Sequence, residues 1–159
     1  MITETDRNHL KRCVELARTA LDKGDAPFGS LLVSKDGEVL FEDHNRVAGG
    51  DATRHPEFEI ARWAASHLNE EDRSNATVYT SGEHCSMCAS AHGLVGLGRI
   101  VYASSTKQLK TWQQEMDLEP GPLKQLSITE VLPDAEVDGP DEALSEEVRE
   151  LQFAYHQKA

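Results

Sequence analysis

The chain has 159 residues, enough for one full hydrophobic core and too few for two comfortable domains. Its hydrophobic content of 38% and charged content of 28% fit a globular protein, and no apolar run approaches the ~20 residues of a membrane span, so no span is expected. Lys and Arg total 16 against 28 Asp and Glu, a net charge of −12 that disfavours long nucleic acids as partners, with Lys107 and Lys110 the one basic cluster.

Residues Thr5 to Leu21 carry the stripe Leu10, Cys13, Val14, Ala17, Ala20, Leu21, which predicts an amphipathic helix stopped near Gly24, with Cys13 in the core. Phe28 to Ser34 and Glu38 to Asp43 flank Asp36-Gly37 and read as a hairpin of two antiparallel strands. Arg46 to Arg54 reads as a loop. Pro56 opens a second helix through Ala61, Ala64, Ala65 and Leu68; Thr77 to Ser81 reads as a strand, Ser86 to Leu97 as a helix and Arg99 to Ala103 as a strand. The stretch from Lys107 to Leu126 gives no clear element, Ile128 to Leu132 suggests a last strand, and residues from Pro133 read as a surface linker into a terminal helix marked by Leu144, Val148, Leu151 and Tyr155. Alternating strands and helices over a single domain, residues 1–159, imply an α/β fold with helices on both faces of a mixed or parallel sheet. The opening Met1 to Asp6 has neither the basic nor the apolar part of a secretory signal, and three cysteines favour metal or thiol chemistry over disulfides, so a cytoplasmic protein is expected.

Chemistry concentrates at two places. His55 precedes Pro56, which disfavours helical geometry at His55 and suits the first helical position, so His55 reads as an N-cap with Glu57 in the first turn. Cys85 and Cys88 bracket the start of the next helix, where the helix dipole favours thiolates. One imidazole and two thiolates make three zinc ligands with the fourth position left for water, whose pKa falls to about 7 on such a site. Glu57 is then a spare carboxylate suited to general acid/base work. A four-ligand structural site completed by His84 or His92 is the competing reading.

These residues resemble the zinc-dependent cytidine-deaminase-like superfamily, whose signature is H-x-E followed by P-C-x-x-C. Here it stands as His55-Pro56-Glu57 and His84-Cys85-Ser86-Met87-Cys88, and the likeness extends to Pro27-Phe28-Gly29-Ser30, Asn45, Asp51-Ala52-Thr53-Arg54 and Glu83. The histidine-first motif is closer to the guanine deaminase and tRNA-adenosine deaminase branch. The resemblance implies a three-layer α/β/α sandwich around a mixed five-stranded sheet, one zinc ion per subunit, a homodimer and hydrolytic loss of an exocyclic amine as ammonia. Carried over by position, His55, Cys85 and Cys88 would hold zinc and Glu57 would shuttle protons. Asn45 would hydrogen-bond a small heterocyclic substrate, with Phe28, Gly29 and Ser30 lining its pocket. Pro56 and His84 depart from the usual motif residues; His84 would either sit beside the pocket and alter the substrate or lie on the surface. Trp112 would stack on the base or anchor a loop. The terminal helix would pack on its own core or cover the pocket of this or a neighbouring subunit. A guanine-like purine is the leading substrate, although the loop Ser104 to Gln108 lacks the acidic residue of guanine deaminases and the nearest acids are Glu115 and Asp117. The alternatives are a tRNA-specific adenosine deaminase, opposed by the net charge and by a carboxyl end with only Lys158, and a catalytically inactive zinc-stabilised scaffold, opposed by Glu57.

Overall fold

Neighbouring residues of the central strands are buried on opposite faces: Leu31 and Val33 against Leu32, Tyr79 against Val78, Val101 against Ile100. Strands apolar on both sides need cover above and below. The computed structural model of the protein, which describes residues 1–157, shows how it is supplied. Strands β1 (Gly29–Val33), β2 (Val39–His44), β3 (Thr77–Gly82), β4 (Ile100–Ser104) and β5 (Val137–Asp138) form one sheet in the order β2-β1-β3-β4-β5. β1 runs antiparallel to β2 and β3, and β3, β4 and β5 are parallel, so the sheet is mixed. One face is covered by α1 (Glu4–Asp22), α5 (Thr106–Glu115) and α7 (Glu142–Gln157), the other by α2 (Pro56–His67) and α4 (Ser86–Leu94). This is the expected α/β/α sandwich.

The first helix packs closely because of one residue. A Cβ at Gly29 would run into the Cys13 carbonyl oxygen, Leu16 Cβ and the Ala17 nitrogen of α1, so β1 reaches α1 only with glycine there. Cys13 is fully buried in the same core, as its place on the apolar stripe predicts. The terminal helix also packs there, through Leu144, Val148 and Leu151, and Gln152 Nε2 donates to the Pro27 carbonyl oxygen. It covers its own core.

Two expectations change, and two helices appear where none was assigned. Ile128 to Leu132 is not a strand: Ser127 and Glu130 form a capping box that starts the short helix α6 (Ile128–Val131). The sheet edge is completed instead by β5, in the stretch expected as a surface linker. There Ile100 N donates to Glu136 O and Asp141 N to Ala103 O, so residues 136–141 are stitched to β4. The unassigned stretch after residue 105 begins with α5, started by a Ser105/Gln108 capping box, and Asn69 caps a short helix, α3 (Glu70–Asn75), that the apolar pattern does not reveal. Lys158 lies outside the described residues.

A buried carboxylate ties the amino end of α1 to β3 and, through Arg99, to β5. Asp6 accepts from both Arg99 terminal nitrogens at 2.9 Å, from Tyr79 Oη at 2.6 Å and from Thr3 N at 2.9 Å, and Arg99 also donates to Asp138. The Arg99 hydrogen bonds hold the Asp6 carboxyl well below the usual carboxylate range despite burial. Removing one partner of such a buried pair leaves the other charge uncompensated, so Asp6→Asn should cost about 3 kcal/mol in urea unfolding at neutral pH. Because the folded-state pKa is depressed, this stabilisation is complete above the unfolded value of about 4 and fades as pH falls below it; the difference between wild type and variant should shrink below pH ~4.

Candidate active site

The site is assembled by two helix starts. His55 is the N-cap of α2, with φ −90° and ψ 140°, and Pro56 occupies the first helical turn. Cys85 is the N-cap of α4 with φ −70° and ψ 171°, and Cys88 lies within its first turn. The two helices pack against each other, which brings one ligand atom from each of His55, Cys85 and Cys88 within 4.8 Å of the others. Both sulfurs lie 3.6 Å from His55 Nδ1. The hydrogen bond from Cys88, then that from His55, lower the Cys85 thiol against the effect of burial. Cys88, bonded to Cys85 and buried, is pushed up. One imidazole and two sulfurs at this spacing fit a tetrahedral zinc ion with a coordination position to spare. His84 and His92 are not in the donor group found among the described residues.

Glu57 lies beside this donor set without joining it. It is 6% exposed, and its Oε1 accepts hydrogen bonds from Ser30 Oγ at 2.9 Å and Thr80 Oγ1 at 2.8 Å. Ser30 and Thr80 are direct cross-strand partners of β1 and β3, so the sheet register sets the carboxylate's position. Burial pushes the Glu57 carboxyl up, opposed by the charge of His55 and by the Thr80 hydrogen bond. Thr80 is absent from the motifs; its role becomes visible only once β1 and β3 are paired.

A cavity of about 170 Å³ opens on His55, Glu57 and Cys85, with Phe28 among its apolar walls. Other expected pocket residues are placed differently. Gly29 abuts α1 and serves packing. Ser30 is fully buried and holds Glu57. His84 is neither beside the cavity nor on the surface: it is 1% exposed and meets the His92 ring edge-on at 5.5 Å, an internal packing pair. Trp112 is buried in the core with residues of α1 and α7, so it cannot stack on a base in this cavity. Asn45 is buried next to Phe28, whose carbonyl oxygen accepts from Asn45 N, and Asn45 Oδ1 accepts from Val47 N. Glu115 pairs with Arg149 away from the cavity.

Fold and site are those of a metal centre built on two helix starts of an α/β/α sandwich, with a buried carboxylate next to it. The sequence profile of the cytidine and deoxycytidylate deaminase zinc-binding region matches residues 3–104, and the chain belongs to that family. It is 31% identical over 108 residues to a probable cytosine deaminase of Schizosaccharomyces pombe, covering 68% of this chain and 65% of that protein. It is 34% identical over 89 residues to a tRNA-specific adenosine deaminase of Agrobacterium fabrum, covering 55% and 58% respectively. The matches thus span less than two thirds of these relatives' length. Guanine deaminase from Nitrosomonas europaea superposes with a TM-score of 0.70 over 96% of this chain and 86% of that one at 18% identity, a likeness of fold.

Zinc retention should follow the donor set. Cys85→Ser and Cys88→Ser should each reduce bound zinc from about one ion per chain to a small fraction, whereas Cys13→Ser, in the core, should keep it. Elemental analysis of the purified variants reads this directly, and full zinc in either of the first two would remove that sulfur from the site.

Proposed function

We propose that the chain, acting as one domain over residues 1–159, removes the exocyclic amine of a small neutral heterocycle by hydrolysis and releases ammonia. The observation that supports this most is Glu57, a buried carboxylate outside the donor set that opens on the same cavity as His55 and Cys85. A scaffold merely stabilised by metal gains nothing from a carboxylate buried there, and burying one is costly unless it is bonded and used. Zinc, when bound, supplies a Lewis acid that makes water nucleophilic near neutral pH. Glu57 takes a proton from the attacking water as its oxygen bonds to the amine-bearing ring carbon, and gives it to the ring nitrogen. The second proton passes from the new hydroxyl through Glu57 to the amine, which leaves as ammonia while the ring carbonyl forms. One water is consumed for each ammonia released. Ser30 and Thr80 keep the carboxylate aimed throughout.

The cavity volume lies below the ~300–1,000 Å³ typical of sites for drug-sized ligands, which suits a single ring system. Phe28 offers it an apolar face, while Asn45 lies next to Phe28 outside the cavity wall, so its role as a donor to a ring substituent rests on the motif resemblance. A guanine-like purine has less support, because its ring N–H groups call for a free carboxylate acceptor in the pocket. Apart from Glu57, the carboxylate at the cavity is Glu83, and each of its oxygens already accepts a backbone N–H. A cytosine-like or adenine-like ring therefore stands first. We extend the reading to a homodimer, as the motif resemblance implies, and to a reducing compartment such as the cytoplasm, which suits two thiolate ligands.

The similarity to a tRNA-specific adenosine deaminase supports a second reading, the same reaction on a base within a tRNA loop. The net charge of −12 opposes it. A gel shift with tRNA at low and moderate salt separates the two: weak binding is expected, and tight, salt-sensitive binding would reverse the order.

An ammonia-release screen of the zinc-loaded protein over free bases, nucleosides and nucleotides should find turnover among the free bases. Glu57→Gln should keep its zinc and lose roughly 10³-fold or more in ammonia release on the best substrate. Undiminished release from that variant would contradict the assigned role.

A further inference from the structure

Glu83 stands two residues before Cys85, and both of its carboxylate oxygens are committed. Oε1 accepts from Thr106 N at 2.9 Å and Oε2 from Ile128 N at 2.7 Å. Thr106 is the first residue of α5 and Ile128 the first of α6, so a single carboxylate holds both ends of the segment 106–128. That segment supplies Thr106, Leu109, Leu123, Lys124, Gln125 and Leu126 to the wall of the cavity that His55, Glu57 and Cys85 also line.

Between those ends, the stretch after α5 is lightly held. Gln125 Nε2 donates to Gln113 Oε1, and Leu118 N to Gln113 O. Leu123 is 52% exposed although it lines the cavity, so its apolar surface still gains burial when a ring sits beneath it. Charge-assisted hydrogen bonds to backbone N–H groups are among the stronger ones a carboxylate makes, and two on one side chain fix the distance between the ends of the loop. The backbone at Glu83 is fixed in turn, since Glu83 N donates to Ser104 O at the end of β4.

We propose that Glu83 is a positioning residue that clasps both ends of the 106–128 segment and so holds it as a cover over the cavity, setting how well the substrate fits rather than how tightly the metal is held. This rests on the deaminase reading for its kinetic consequence, while the clasp itself is a property of the folded chain. Removing it should loosen the cover and leave the three metal donors in place. Gln at this position keeps one acceptor and turns a donor toward the other backbone N–H, so Glu83→Gln should break one of the two bonds with little change of volume.

The test uses the zinc-loaded 159-residue chain and its Glu83→Gln and Glu83→Ala variants. Amide hydrogen exchange should be faster in both variants at Thr106, at Ile128 and through residues 116–127, with protection in β1, β3 and α1 unchanged and zinc content equal to wild type. On the best heterocycle from the ammonia screen, KM should rise roughly tenfold in Glu83→Gln, the size of one lost charge-assisted hydrogen bond, while kcat changes less. Unchanged exchange at both Thr106 and Ile128 would overturn the proposal. So would loss of zinc with the 106–128 amides still protected, which would make Glu83 a support of the metal site. If wild type releases ammonia from no heterocycle, the functional reading fails, and the exchange and zinc measurements still decide the clasp.

Discussion

Everything at the site depends on two helices beginning at the same point. The start of a helix leaves backbone N–H groups unsatisfied and carries partial positive charge, which favours thiolates and carboxylates placed there. α2 and α4 present His55, Glu57, Cys85 and Cys88 from their first turns, positions fixed by backbone geometry more than by side-chain flexibility. Their convergence requires the sheet beneath them to be covered on the opposite face, and that is the task of α1 and α7. Gly29 is a point of close approach in that packing, and β1 carries both this contact to α1 and, one residue later, the hydroxyl that holds Glu57.

The Glu57 carboxylate shows why the sheet register matters to the chemistry. Ser30 and Thr80 face each other across β1 and β3, and their hydroxyls meet at one oxygen of Glu57. A slip of one residue in that register would turn the hydroxyl of the shifted strand to the other face of the sheet. The buried carboxylate would then lose one of its two hydroxyl partners. Core packing and site geometry are thus the same constraint seen from two sides.

The motifs were legible in the sequence because their residues act locally. Pro56 announces a helix start, and H-x-E and C-x-x-C each sit on one turn, so spacing alone conveys what they can do together. The positions of the first four strands along the chain were legible for a similar reason: Asp36-Gly37 marks the hairpin, and apolar runs mark β3 and β4. What depends on distant pairing was not. Thr80 looks like any strand threonine until Ser30 lies opposite it. Trp112 resembles a base-stacking residue until α5 turns it into the core, and His84 resembles a pocket residue until α4 places His92 against it. β5 has only two residues and no apolar alternation, so it was hidden behind Ile128 to Val131, where a capping box outweighs the β-branched residues.

The central claim is that this chain offers zinc three donors, His55, Cys85 and Cys88, and keeps one position for water. Zinc K-edge X-ray absorption on the purified metal-loaded protein tests it most directly. Two sulfur scatterers near ~2.3 Å, one imidazole nitrogen near ~2.0 Å and one further oxygen are expected. A closed shell of two sulfurs and two imidazoles would contradict it, because a site with four protein donors leaves no place for the reacting water.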